Sequence, residues 1–251
     1  MAVNSTLSIN LSSSWNPSSV KLTTITKPAP RANQQSLWVD SFDRSFYLWG
    51  GETSIGDPPD RNILWKFSAD SKGSGGWTEI RPSNPQVFKD LTRVSNGGST
   101  SAEPGQQRAG FTIGGTAASL TDSGLQNGDL VPVPGMVSYN ITLGAFSSDS
   151  ATAFTQSGTW IGGSVEFVPG FGVDGILVLL GGVTTASEQP FRSLGDLEGE
   201  DYIKLKNITI YDPSSKEWYW QETAGPVPRD RTHACTVGVS TGSGDNRTHE
   251  M

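Results

Sequence analysis

Three times in this chain a run of β-forming apolar residues stops dead at a Gly-Gly pair. Phe46-Tyr47-Leu48-Trp49 runs into Gly50-Gly51, Phe111-Thr112-Ile113 into Gly114-Gly115, and Ile176 to Leu180 into Gly181-Gly182. A short apolar run bounded by a turn suits a strand buried on both faces, and paired glycines suit a turn that needs positive φ. Each doublet is followed by a polar connection and then by a second alternating segment. These segments are Ile63-Leu64-Trp65-Lys66-Phe67 with Trp77 beyond it, Met136 to Ile141 with Phe146, and Asn207 to Gln221 with Tyr211 and Trp218. In the last, Tyr211-Asp212-Pro213 opens a turn, because Pro fixes φ and Asp can bond the backbone. The doublets start 64 and then 67 residues apart. Self-similarity at a fixed long period is the mark of a repeat architecture, in which each unit buries its faces against its neighbours.

Composition agrees with many short strands and tight turns: 30 Gly, 15 Pro and 8 Trp in 251 residues, with 17% charged. A formal charge of -7, without clustered Lys and Arg, opposes nucleic acid or an anionic membrane as partner. One cysteine, Cys235, excludes an internal disulfide and is expected to pack as a small buried hydrophobe. The first residues carry neither a basic leader nor an apolar run of signal-peptide length. The longest apolar segment, 175–183, is too short to span a bilayer. Sequons at Asn4, Asn10, Asn140, Asn207 and Asn246 exceed the two or three expected by chance at this Ser/Thr content, which leans toward N-glycosylation in a secreted setting.

An apolar strand, Gly-Gly, a Tyr-Asp turn and a Trp about seven residues later resemble the kelch repeat, one blade of a β-propeller. Ser36 to Asp40, Phe46 to Gly51, Val133 to Met136, Phe167-Val168-Pro169 and Tyr211 to Gln221 resemble more closely the kelch-repeat, galactose oxidase-like propeller proteins of filamentous fungi. The resemblance implies an all-β, kelch-type β-propeller, here incomplete, within one region spanning 1–251. The expected units are a partial blade at 5–26, blades at about 36–80, 108–147 and 162–221, and the start of a further blade at 229–250. The chain is therefore expected to begin inside one repeat and end inside another, as a piece of a longer protein. Leu7 to Ile25 pairing with Ala234 to Val239 is one way to close the ring. The resemblance also implies an ectodomain at the cell surface, often with a membrane span downstream.

The structural residues of the repeat are then Gly50, Gly51, Trp77, Gly114, Gly115, Gly181, Gly182, Tyr211 and Trp218, with Trp15 and Phe146 in the same aromatic role between blades. Residues 81–107 read as a long surface connection. Together with 117–130 and 184–202, they form the expected contact region. Arg108, Arg229 and Arg231 stand where blades begin and are expected to bond carbonyls and carboxylates between blades rather than a partner.

Chemistry has little to stand on. The two histidines, His233 and His249, do not make a metal centre, and the copper site of galactose oxidase needs two His and a Tyr cross-linked to Cys, which the context of Cys235 does not support. Asp196, Glu198, Glu200 and Asp201 form an acidic loop whose spacing lacks a calcium-binding pattern. No cofactor and no catalytic residue is expected. The first reading is a non-catalytic module that binds an unknown protein or glycan through its loops. The alternative is a sugar-acting or small-molecule enzyme with a carboxylate-lined mouth.

Overall fold

The computed structural model describes residues 4–54, 61–103, 107–125, 128–154, 157–197, 202–241 and 248–250. Its main elements in order are a hairpin, three four-stranded antiparallel sheets and a second hairpin, and two short pairs join Ala32–Asn33 with Glu52–Thr53 and Thr116–Ala117 with Val131–Pro132. The first hairpin pairs β1 (Ser5–Ile9) with β2 (Leu22–Thr26). The first sheet holds β3 (Ser36–Asp40), β4 (Ser45–Trp49), β5 (Leu64–Ala69) and β6 (Gly75–Ile80) in chain order. Helix α1 (Pro85–Asp90) follows. The second sheet runs β7 (Gly98–Ala102), β8 (Ala109–Ile113), β9 (Met136–Asn140) and β10 (Ala145–Asp149). The third runs β11 (Ser164–Val168), β12 (Ile176–Leu180), β13 (Asn207–Asp212) and β14 (Glu217–Glu222). The closing hairpin pairs β15 (Val239–Thr241) with β16 (Thr248–Glu250).

Each sheet is a meander whose first strand lies at an edge, and the first strands β3, β7 and β11 contact one another in turn, which makes them the inner strands. Aromatic side chains fill the space between sheets. Trp38 of β3 is fully buried. It stacks 6.0 Å from Tyr139 of the second sheet, and its indole Nε1 donates to the Phe111 carbonyl at 3.1 Å. Gly110 lies under that ring, where a Cβ would come within 2.2 Å of Trp38. Phe146 joins the same cluster beside Phe88 of α1 at 4.6 Å. Between the second and third sheets, Trp160 stacks on Phe154 at 5.5 Å, and Tyr211 meets Phe111 edge-on at 6.5 Å. Burying rings of this size on both faces makes the sheets cohere as a series rather than as separate domains.

Several expectations change. The segment 81–107 is not a plain surface connection, because it contains α1 and the inner strand β7, so the second sheet starts at Gly98 rather than at 108. The run Gly-Ser-Thr-Ser-Ala has no apolar alternation and reads as loop. Its small side chains are required by close packing, since a Cβ on Gly98 would meet the Trp160 ring at 2.4 Å. Trp15 is 47% exposed in the loop of the first hairpin instead of buried between blades. Residues 234–238 form no strand among the described residues, and the first hairpin pairs internally rather than with them. Without a paired strand over it, Cys235 is exposed instead of buried.

Candidate functional site

The three Gly-Gly doublets and the segments leading into the inner strands lie at the same end of the sheets, because the second strand of each meander finishes where the first begins. There they form a repeated clasp. Gly51 N–H donates to the Val94 carbonyl at 2.8 Å, Gly115 N–H to the Trp160 carbonyl at 2.7 Å, and Gly182 N–H to the Arg231 carbonyl at 2.9 Å. Val94 and Trp160 each stand four residues before the next inner strand. The doublets thus hook each sheet to the start of its successor. All six glycines have φ between +57° and +104°, and a Cβ on Gly114 would come within 1.9 Å of the Trp160 carbonyl oxygen. No other residue offers both that backbone and that approach.

Two residues past each clasp carbonyl the backbone turns left-handed: Asn96 at φ 58°, Gly162 at 66° and His233 at 55°. Gln34, two residues before β3, repeats the feature at 53°. These turns bond in series, with Gly162 N–H on the Asn96 carbonyl at 2.8 Å and His233 N–H on the Gly162 carbonyl at 2.7 Å. His233 Nε2 lies 3.4 Å from Asn96 Oδ1. Residues 231–236 therefore dock on the third sheet in the way the earlier lead-in segments dock on theirs, and Thr236 and Ser164 share a hydroxyl bond of 2.7 Å.

The connections after the doublets also bond to one another. Thr53 donates to the Leu120 carbonyl through its N–H at 2.8 Å and its hydroxyl at 3.0 Å. Leu130 and Phe191 exchange both backbone bonds, at 2.7 and 2.9 Å. Thr159, Thr185 and Ser157 tie the start of the third sheet to its own connection through buried and half-buried hydroxyls. The result is a collar of loop backbone held by rigid sheets, the arrangement in which loops serve recognition.

The other repeat residues are structural in their contacts. Trp77 meets Phe46 and Phe67 at 5.4 and 5.3 Å and donates to Thr6 of the first hairpin at 3.1 Å. Trp218 lies 4.7 Å from Tyr211 and donates to the Ser150 carbonyl at 3.2 Å. Arg108 pairs with the buried Asp40 at 2.6 Å across the first and second sheets. Arg231 bonds the Arg229 carbonyl within its own segment at 3.0 Å, and Arg229 itself is exposed. Trp49 is fully buried, as its apolar run into Gly50-Gly51 implies, while the equally buried Trp38 and Trp160 were given no packing role by the pattern. Trp160 carries a signal only in retrospect, since it precedes a glycine pair at the lead-in position.

Resolved pKa shifts have structural causes. Burial pushes the Tyr139 and Tyr211 phenols up to about 12. The Leu205 N–H, helped by Lys204, holds Asp230 below the usual carboxylate value, and Lys66 does the same for Asp43. Burial lowers Arg93, whose guanidinium reaches the Gly50 carbonyl at 3.3 Å beneath the first doublet. Among the described residues no three His, Cys, Asp or Glu side chains gather as a metal site, and no helix is long and apolar enough to cross a membrane. Asn246 and the acidic residues Glu198, Glu200 and Asp201 lie outside the described residues. Asn4, Asn10 and Asn207 are exposed. Asn140 is half-buried, with its Nδ2 on Gln107 Oε1 at 2.9 Å.

Four-stranded meanders joined through aromatic interfaces and glycine clasps define a kelch-type β-propeller fold. Known proteins place the chain in the same company. It is similar to a Kelch repeat-containing protein of Arthroderma benhamiae, 28% identical over an alignment covering 96% of this chain and 38% of the relative. The chain thus spans well under half of that relative's length. No protein-family profile matches the sequence. Among solved structures, YjhT superposes with a TM-score of 0.50 at 14% identity, covering 88% of this chain and 56% of its own. A chain of the RAG complex with one melted and one unmelted RSS superposes at 0.52 and 11% identity, covering 95% and 63%.

Proposed function

We propose that this chain is a non-catalytic recognition module that binds a protein or glycan partner at the cell surface through the collar of connections after the Gly-Gly doublets. The observation that carries the reading is the cross-blade bonding of those connections. Thr53 with Leu120 and Leu130 with Phe191 give loop backbone a fixed shape without committing its outward side chains. Kelch repeats commonly serve protein interactions, which supports the same choice. Fold alone does not name the partner, since one propeller scaffold serves many roles.

The test is a binding screen of the purified chain against arrayed extracellular glycans and displayed peptides, followed by replacement of residues 117–130 and 184–202 with short Gly-Ser turns. Loss of a saturable interaction with the sheets intact is the expected result. Binding that survives both replacements overturns the assignment of the face. Turnover of a glycoside or small carbonyl substrate that scales with purified protein overturns the non-catalytic reading.

A further inference from the structure

At the outer rim of the third sheet an aromatic groove stands open beside a sequon. Strands β13 and β14 pair Asn207 with Glu222, Thr209 with Trp220 and Tyr211 with Trp218. Side chains two apart on a strand share a face, so Asn207, Thr209, Tyr211, Trp218 and Trp220 line one side of the ribbon. Tyr211 is buried and Trp218 half-buried, but Trp220 is 73% exposed, the most exposed tryptophan of the chain. Its ring borders a groove of about 580 Å³ lined by Phe154, Tyr202, Asn207, Thr209, Trp218 and Trp220. Asn207 and Trp220 are diagonal neighbours across the pair, a spacing within reach of an aromatic ring.

We infer that Asn207 carries an N-linked glycan whose first sugars lie in this groove and cover Trp220. What marks this site is an exposed asparagine on the same face of one strand pair as the exposed Trp220. Asn207 is exposed, and its side-chain amide makes no hydrogen bond among the described residues. By contrast, the Nδ2 of Asn140 is already bonded to Gln107. Asn10 closes a turn by accepting from Ser12 N–H at 2.9 Å, and although it lines a groove with Trp15, that ring sits in the hairpin loop and not across a strand pair from it. The groove offers what an amphipathic sugar needs: an aromatic face for its C–H surface, with Lys204 and Thr209 at the margin.

Thr209, the sequon hydroxyl, is 8% exposed in the fold, so attachment precedes folding. In that step Asn207 Nδ2 attacks the anomeric carbon of a lipid diphosphate-linked oligosaccharide. The C–N bond forms as the C–O bond to the diphosphate breaks, the amide proton passes to a base of the transferase, and the lipid diphosphate departs. The inference rests on the surface-recognition reading only for its compartment.

The full chain is secreted from a yeast host behind a heterologous leader, and site occupancy is read by peptide mass spectrometry after trimming to a single N-acetylglucosamine. Occupancy of Asn207 is expected. Acrylamide quenching of tryptophan emission is then compared among glycosylated, trimmed and fully deglycosylated protein. The first two should protect the most accessible tryptophan and the last should not, and Trp220→Ala should abolish the difference. Asn207→Gln, checked for fold by circular dichroism, should quench like the deglycosylated form. An empty Asn207 beside an occupied Asn10 overturns the inference, as does equal quenching in glycosylated protein and Asn207→Gln. Partner binding by the collar is scored separately on the loop replacements, so either idea can fail without the other.

Discussion

Gly114→Ala is the sharpest probe of the clasp. The new Cβ would lie 1.9 Å from the Trp160 carbonyl oxygen and 2.8 Å from its carbonyl carbon. Neither side can yield easily. Trp160 is fully buried, its indole Nε1 donates to the Gly181 carbonyl at 2.8 Å, and its own carbonyl accepts from Gly115. A left-handed alanine costs about 1–2 kcal/mol, overpacking a tight contact about 1–3 kcal/mol, and the displaced Gly115 hydrogen bond about 1 kcal/mol. Together these predict a loss of about 3–6 kcal/mol, read as a shift in urea midpoint at unchanged m-value and a Tm lowered by at least about 6 °C. Gly76→Ala in β6 is the control, since its Cβ would find no atom within 4 Å. It should be neutral or stabilising by about 0.5–1 kcal/mol. If Gly114→Ala falls within about 0.5 kcal/mol of the parent, the doublets are not the hooks that join successive sheets.

Further outcomes test the interfaces and the free face. Trp38→Phe keeps an aromatic ring but removes the indole N–H that bonds the Phe111 carbonyl and leaves a void, and should lower stability by about 1–3 kcal/mol in the same denaturation assay. Leu37→Thr with Val39→Thr replaces apolar side chains of β3 that are 45% and 50% exposed. Thermal unfolding should move little while light scattering reports less self-association, and a large stability loss would mean that face is covered in solution. In alkaline solution the raised phenols of Tyr139 and Tyr211 keep their protons in the folded state after unfolded tyrosines lose theirs near 10. Their contribution is complete below that pH and is lost as pH rises toward 12. A titration at 295 nm should show at least two late phenols among the five tyrosines, and ionisation of all five together near pH 10 would contradict the burial.

Much of the fold was legible because its signals are local. An apolar run such as Ile176 to Leu180 followed by two glycines states both a buried strand and a left-handed turn, whatever lies around it. The turn at Asp212 is likewise written in its own residues, with Oδ1 accepting from Ser214 N–H at 2.8 Å. Three copies of that grammar give the repeat, and the repeat gives the class of fold. The candidate collar was legible only as loop length, and its membership changed once β7 emerged from the segment 81–107.

What the sequence by itself determined is therefore where the second strands end and that the units recur. Tertiary structure decided which polar stretches become strands and what the glycines are for. Gly98 to Ala102 has no pattern of its own and is a strand because Trp160 leaves room for nothing larger, while Gly114 is required by a carbonyl 46 residues away. The opposite failure has the same cause. Among the described residues Ala234 to Val237 has strand-like residues but no paired strand, and Cys235 faces solvent. Close packing and strand pairing are relations between distant segments, and no local stretch of sequence contains them.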